Sequence, residues 1–148
     1  SIQATILRAK LPNLDSYNNS RRAAATKYTK AFECVGNIVT PTCFCNESDS
    51  NIENCDCHVY HQYTLKILNT DRDALVAHLN ENNIPCGVYY PIPLHLQKAY
   101  LDNRYKEENF KVTNQLVKEV ISLPMHTELD DEQIEFITST IINFVKKE

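Results

Sequence analysis

The stretch His58-Val-Tyr-His-Gln-Tyr-Thr-Leu-Lys-Ile-Leu68 alternates along its whole length and is dense in aromatic and β-branched residues. A period of two places Val59, His61, Tyr63, Leu65 and Ile67 on one face, which is the pattern of a strand lying with one side on a core. A strand of this kind needs partner strands for its backbone groups and a further layer over its apolar face. The rest of the chain must supply both.

Helical periodicity supplies the covering layer. From Ile2 to about Phe32 the positions Ala4, Leu7, Leu11, Leu14, Tyr17, Ala24, Tyr28 and Phe32 recur at helical spacing, with charges and amides between them. Pro12 lacks an N–H and clashes with the preceding turn, so a kink or short break is expected near Lys10 or Leu11. Further on, Thr70-Asp-Arg-Asp73 offers caps to a helix bearing Ala74, Leu75, His78 and Leu79 and ending near Asn82-Asn83. Ile84-Pro-Cys-Gly-Val-Tyr-Tyr90 reads as a turn and second strand, stopped by Pro91 and Pro93. A short helix is expected at residues 94–99 and a polar loop at 102–109. A helix carrying Val112, Leu116 and Val120 then runs into a third strand at Ile121-Ser-Leu-Pro124. Asp130-Asp-Glu-Gln133 resembles a capping box, and Ile134, Ile137, Ile141 and Val145 form the stripe of a closing helix, with Lys146 and Lys147 at its negative end. These elements predict an α/β sandwich with about three strands, flanking helices and a long N-terminal helix. The organisation expected is a Pro12-kinked helix over residues 1–32, a cysteine-rich loop or insertion over 33–57, and an α/β body over 58–148.

Composition narrows the function classes. A chain of 148 residues suffices for one domain with a core of its own. Its two glycines, Gly36 and Gly87, are too few and too far apart for a loop that cradles phosphate on backbone N–H groups. A formal charge of −4 leaves no electrostatic footprint for nucleic acid or an anionic membrane. The start shows no secretory signal, and no apolar run is long enough to span a bilayer. Ser1-Ile-Gln-Ala4 reads as entry into the middle of a helix, so a fragment of a longer protein is expected. Cys86 lies in an apolar run where a thiol behaves as a small hydrophobe, and the six cysteines are read as reduced and the protein as cytoplasmic.

Two constellations can carry chemistry. Cys43, Cys45, Cys55, Cys57 and His58 gather the ligand types that zinc prefers. Their Cys-x-Cys spacing gives an awkward chelate, however, and an exposed insertion that carries thiols is the favoured reading; a zinc site, or a pair of disulfides, stays as the rival. The other constellation is Gly87-Val-Tyr-Tyr-Pro-Ile-Pro-Leu-His-Leu-Gln97. Here Tyr89, Tyr90 and His95 sit on a loop stiffened by prolines, groups that hydrogen-bond sugars and phosphates at small entropic cost. On physics alone the same loop is equally a packed corner. His78 reads as structural, and His61 as a core histidine on the inward face of its strand. No self-contained nucleophile, base and oxyanion set is present.

Several segments together resemble one family, in the same order. They are Gln3-Ala-Thr-Ile-Leu-Arg-Ala-Lys-Leu11, Leu14-Asp-Ser-Tyr-Asn18, Arg21-Arg22, His58-Val-Tyr-His-Gln-Tyr63, Arg72-Asp-Ala-Leu75, the Gly87 to Gln97 run, Ser122-Leu-Pro-Met125 and Leu129. They look like the C-terminal portion of the DegT/DnrJ/EryC1/StrS aminotransferases, across nearly the whole chain apart from residues 33–57. The resemblance implies the small C-terminal domain of the aspartate-aminotransferase fold type (fold type I of the pyridoxal-phosphate enzymes). It also implies a dependence on pyridoxal phosphate (PLP) and transfer of an amino group, usually from glutamate, to a keto nucleotide-sugar, in cell-surface polysaccharide or deoxyaminosugar synthesis. Members of the family are homodimers with active sites at the subunit interface. The Schiff-base lysine and the aspartate that pairs with the pyridine nitrogen lie in the large domain, upstream of this chain. Lys10, Lys66 and Lys98 are not in the context of that lysine. The expectation is therefore a segment with no catalytic residue and no bound cofactor, inactive alone. Its expected partners are its own N-terminal large domain, a second copy and the two substrates, with neither nucleic acid nor membrane. By position, Tyr89 and Tyr90 match the pair that contacts the nucleotide-sugar. His95 matches the histidine that supports their loop, with ligand contact as its lesser role, and His61 and Tyr63 match scaffold positions. The cysteine insertion lies outside the family pattern.

Overall fold

The computed structural model describes residues 1–42 and 57–147. Helix α1 (Ile2–Lys10) passes through a 3-10 turn, Leu11–Asn13, into helix α2 (Leu14–Phe32). Pro12 falls in that turn, where the chain tightens but Leu11 and Leu14 keep right-handed helical angles. The proline thus marks a 3-10 interruption between two helices that follow each other directly. No residue of α1 is buried, whereas α2 buries Ala24, Ala25, Tyr28 and Phe32, spaced as one helical face. The core begins halfway along this helical run. Ile2, Ile6, Leu7, Leu11 and Leu14 remain exposed.

The sheet has three antiparallel strands in the order β1-β2-β3: β1 (Ile38–Val39), β2 (Tyr63–Ile67) and β3 (Val120–Leu123). In β2, Tyr63, Leu65 and Ile67 are buried and the residues between them half-buried, as alternation predicts. Three expectations need correction. Residues 58–62 are not strand: Tyr60 takes a left-handed φ of 47° and is itself buried, which breaks the alternation and leaves Val59 and His61 exposed. The expected strand at 84–90 shrinks to a single bridge between Gly87 and Ser122, because Pro85 cannot donate to a ladder and Tyr90 turns left-handed at φ 61°. Its place as third strand is taken by β1, inside the stretch read as loop. There two β-branched residues pair with the far end of β2, Ile38 opposite Ile67, and Leu68 N–H donates to Asn37 C=O at 2.8 Å.

Helix α3 (Arg72–Glu81) is capped by Asp71, whose carboxylate accepts from the N–H groups of Asp73 and Ala74. Helix α4 (Lys111–Glu119) leads directly into β3 and buries no residue; Val112 is largely exposed, against the stripe read from the sequence. Helix α5 (Asp131–Val145) starts with a reciprocal capping box between Asp130 and Gln133 and buries Ile134, Ile137, Ile141 and Val145. It packs on α2 and α3, closing a core in which Tyr28, Tyr63, Leu65, Leu75, Leu79 and Ile121 are fully buried. Residues 94–100 form two 3-10 turns rather than a helix, their backbones interrupted at Gln97. Arg72 ties the layers together. Its guanidinium is 9% exposed and donates to the carbonyls of Val117 at 3.1 Å and Val120 at 2.7 Å, where α4 ends and β3 begins.

Candidate functional site

The free edge of β3 carries the loop that the sequence singled out. Gly87 N–H donates to Ser122 C=O at 2.9 Å and receives the Ser122 N–H at 2.7 Å on its own carbonyl. Ser122 is in turn held by a 2.7 Å hydroxyl contact with Thr64 of β2. From this anchor Tyr89 folds back over Gly87. A Cβ on Gly87 would lie 2.9 Å from two carbons of the Tyr89 ring and 3.2 Å from its hydroxyl, so only glycine permits that close approach. Tyr90 is 83% exposed and left-handed, a conformation that costs a non-glycine residue about 1–3 kcal/mol. Pro93 then starts the first 3-10 turn, and Gln97 Nε2 donates back to Ile92 C=O at 3.3 Å.

His95 is placed differently from the two tyrosines. It is buried, its ring stacked on Phe110 at 4.3 Å with 22° between the planes. Its Nε2 has no hydrogen-bond partner. His95 is packed inside the loop, while Tyr89 and Tyr90 face outward. Tyr89 lines a cavity of about 210 Å³ with His61, Gln62, Cys86, Ser122 and Met125; Tyr90 and His95 do not line it. The sequence reading missed His61 and Gln62 as cavity residues. Both lie in the first half of the alternating run, ahead of the point where β2 begins at Tyr63, and alternation alone does not mark that point.

Replacing Gly87 by alanine tests how Tyr89 is held. The exposed ring can swing aside, so stability should change by no more than about 0.5 kcal/mol. Any ligand contact that depends on the ring's seat should weaken. The check is urea denaturation beside a binding titration, and an unchanged affinity would show that the position of the ring over Gly87 has no part in binding.

The cysteine reading needs correction at one position. Cys57 is disulfide-bonded, which removes it as a thiolate ligand and as a reduced thiol; exposed as it is, nothing shields it from pairing. Cys34 and Cys86 are free, and burial raises the Cys86 thiol above its ordinary pKa. Cys43, Cys45 and Cys55 lie outside the described residues. His58 accepts the Tyr60 N–H on Nδ1 at 2.9 Å, and its carbonyl receives Arg22 Nε at 3.0 Å, so it closes the turn before β2.

No lysine and no carboxylate lines the Tyr89 cavity. It therefore offers neither an amine for a Schiff base nor an acid for a pyridine nitrogen, and its lining does not fit a PLP site. A second depression, of about 900 Å³, runs along α1 and α2, lined by Leu7, Leu11, Leu14, Tyr17, Arg21 and Glu128 among others. Arg21 Nε is buried there without a partner.

The three-stranded antiparallel sheet, the helices packed with it and the tyrosine loop on the edge of β3 make this an α/β domain. The chain belongs to the DegT/DnrJ/EryC1/StrS aminotransferase family, whose model matches residues 1–142. It is 40% identical over 147 residues to a "pleiotropic regulatory protein" of Geobacillus stearothermophilus, covering 98% of this chain and 37% of that protein. It is 36% identical over 141 residues to the UDP-N-acetyl-3-dehydro-alpha-D-glucosamine 3-aminotransferase of Acidithiobacillus ferrooxidans, covering 95% and 34%. Among solved structures, S. venezuelae DesV in complex with a ketimine intermediate superposes with a TM-score of 0.82 at 27% identity, over 97% of this chain and 36% of that one. The chain thus spans about a third of the length of the relatives it matches. Among the described residues, no helix is long and apolar enough to cross a membrane.

Proposed function

We propose that the chain is the C-terminal, substrate-shaping part of a nucleotide-sugar aminotransferase that uses PLP and takes its amino group from glutamate. The observation that carries this reading is the loop anchored by the Gly87–Ser122 bridge, which presents Tyr89 and Tyr90 outward in a chain belonging to the DegT/DnrJ/EryC1/StrS aminotransferase family. PLP, held by residues outside this segment, supplies the electron sink for moving the amino group. This chain's residues bind and orient. Tyr89 and Tyr90 contact the nucleotide-sugar with ring face and hydroxyl, and His95, stacked on Phe110, keeps their loop in place. The exposed apolar face of α1 and the depression lined by Leu7, Leu11 and Arg21 receive the large domain or a second copy of the chain, since a stripe of that length is costly to leave in water.

The test is steady-state kinetics of the full-length protein with a keto nucleotide-sugar and glutamate. Tyr89→Ala and Tyr90→Ala should each raise KM for the sugar about tenfold or more, while KM for glutamate stays within twofold, because the lost contacts are with the sugar alone. Full-length protein that forms no Schiff-base absorbance with PLP and turns over no amino donor would overturn the reading and leave a regulatory role, as the name of the Geobacillus relative suggests for that protein.

A further inference from the structure

We infer that His61 and Gln62 form the wall of the cavity opposite Tyr89 and hydrogen-bond the hexose of the nucleotide-linked sugar, an inference that rests on the substrate role proposed above. Strand pairing brings the three segments together. Tyr63 lies opposite Leu123 in an antiparallel pair, so the residues just before Tyr63 stand beside those just after Leu123. Gly87 pairs with Ser122 on the other edge of β3. Leu123 and the residues that follow it, up to Met125, are thus flanked by His61 and Gln62 on one side and by Pro85 and Cys86 on the other, and Tyr89 joins them by folding back over Gly87; residues from all three segments line the 210 Å³ cavity.

The two side chains are exposed, but the backbone that carries them is held at both ends. Tyr60 before them is buried, and its N–H is bonded to His58, whose carbonyl is bonded to Arg22. Tyr63 after them is buried, and its hydroxyl is 2.8 Å from that of Thr29. The left-handed turn at Tyr60 takes His61 out of the sheet's alternation and frees its imidazole for the cavity. Such support on both sides is what a binding group needs to keep its position without a ligand.

The chemistry selects the sugar ring over the diphosphate. The lining contains no lysine, arginine, aspartate or glutamate, whereas recognition of a diphosphate calls for fixed cations or a row of backbone donors. An imidazole with one donor and one acceptor, a carboxamide with two donors and an acceptor, and a tyrosine ring with its hydroxyl match the hydroxyls and ring face of a hexose.

The experiment is titration calorimetry on the full-length protein with UDP-N-acetylglucosamine and dTDP-glucose as probes, and with UDP and dTDP alone as controls. His61→Ala and Gln62→Ala should each weaken the sugar nucleotide about fivefold, the loss of one neutral hydrogen bond. The bare nucleotide should keep its affinity, and thermal melting should not move. Equal weakening of sugar nucleotide and bare nucleotide would overturn the inference, as would a loss confined to variants whose Tm has fallen, since the pair would then be structural. Unchanged binding in both variants while Tyr89→Ala weakens it would also overturn the inference and leave the substrate role of the loop intact. If the unaltered protein binds neither sugar nucleotide, the substrate reading itself fails.

Discussion

Above pH 10 the 148-residue chain should lose stability steeply, because its core is built around tyrosines that cannot ionise where they stand. Tyr28 and Tyr63 are fully buried, with ring centroids 5.0 Å apart. Burial holds both phenols well above their ordinary pKa of 10; the neighbouring Tyr63 raises Tyr28 further, and Tyr60 raises Tyr63. In Tyr63 the hydrogen bond with Thr29 opposes the shift without cancelling it. Tyr60, at 6.3 Å from Tyr63, is raised by burial as well, with Arg22 pulling in the other direction.

The sign follows from proton counting. Between the unfolded pKa near 10 and the higher folded pKa, the unfolded chain has lost protons that the folded chain retains, so rising pH favours unfolding. Below pH 10 the contribution is fully present. Above it, each buried tyrosine removes up to about 1.4 kcal/mol per pH unit, so Tyr28 and Tyr63 together remove roughly 2.7. Two units remove about 5 kcal/mol, as much as the whole stability of a domain at the low end of the usual range. Urea denaturation from pH 8 to 11.5 measures this. Tyr28→Phe and Tyr63→Phe should each be about 1 kcal/mol less stable at neutral pH, through loss of the bonds to the Pro124 carbonyl and to Thr29, yet show a shallower decline in alkali. A double variant with the same slope as the parent would show that these phenols are not the titrating groups.

Replacing Arg72 by alanine should cost about 2–4 kcal/mol, the largest effect expected of any charged residue in the described chain. The carbonyls of Val117 and Val120 stand at the end of α4, where a helix has no internal donors left to satisfy them. Arg72 supplies both bonds from a buried position, and a positive charge there also suits the negative helix end. Its contact with Asp73 at 2.7 Å adds little, since that carboxylate is 81% exposed. Both carbonyls are served by the same nitrogen, Nη1, so Arg72→Lys should recover only part of the loss: the ammonium carries three donors, but its flexible stem does not hold them in place as the planar guanidinium does. Methionine fills the space without a donor. If Arg72→Met matched the parent in chemical denaturation, packing and not hydrogen bonding would be what Arg72 provides.

Much of this architecture could be read from the residues. The closing helix was legible because Ile134, Ile137, Ile141 and Val145 repeat at helical spacing behind a capping box, and all four are buried. The Asp71 cap and the short 3-10 break at Pro12 were legible for the same reason: each is set by chemistry within a few residues. The segments matching the family were read correctly as a set, and the family model covers them. Reading failed where distant partners overrode the local pattern. The alternating run that opens at His58 looks uniform, yet only its second half is strand. Tyr60 reaches the core by turning left-handed, at a local cost that burial of its ring offsets.

The sequence by itself determined helices α2, α3 and α5 and the second half of the central run as strand, because these depend on periodicity and on residues a few positions apart. Tertiary structure alone decided which strand completes the sheet, that Arg72 joins three elements, and that His61 and Gln62 share a cavity with Tyr89. Strand order and register are settled by contacts between residues tens of positions apart, and no local pattern carries them.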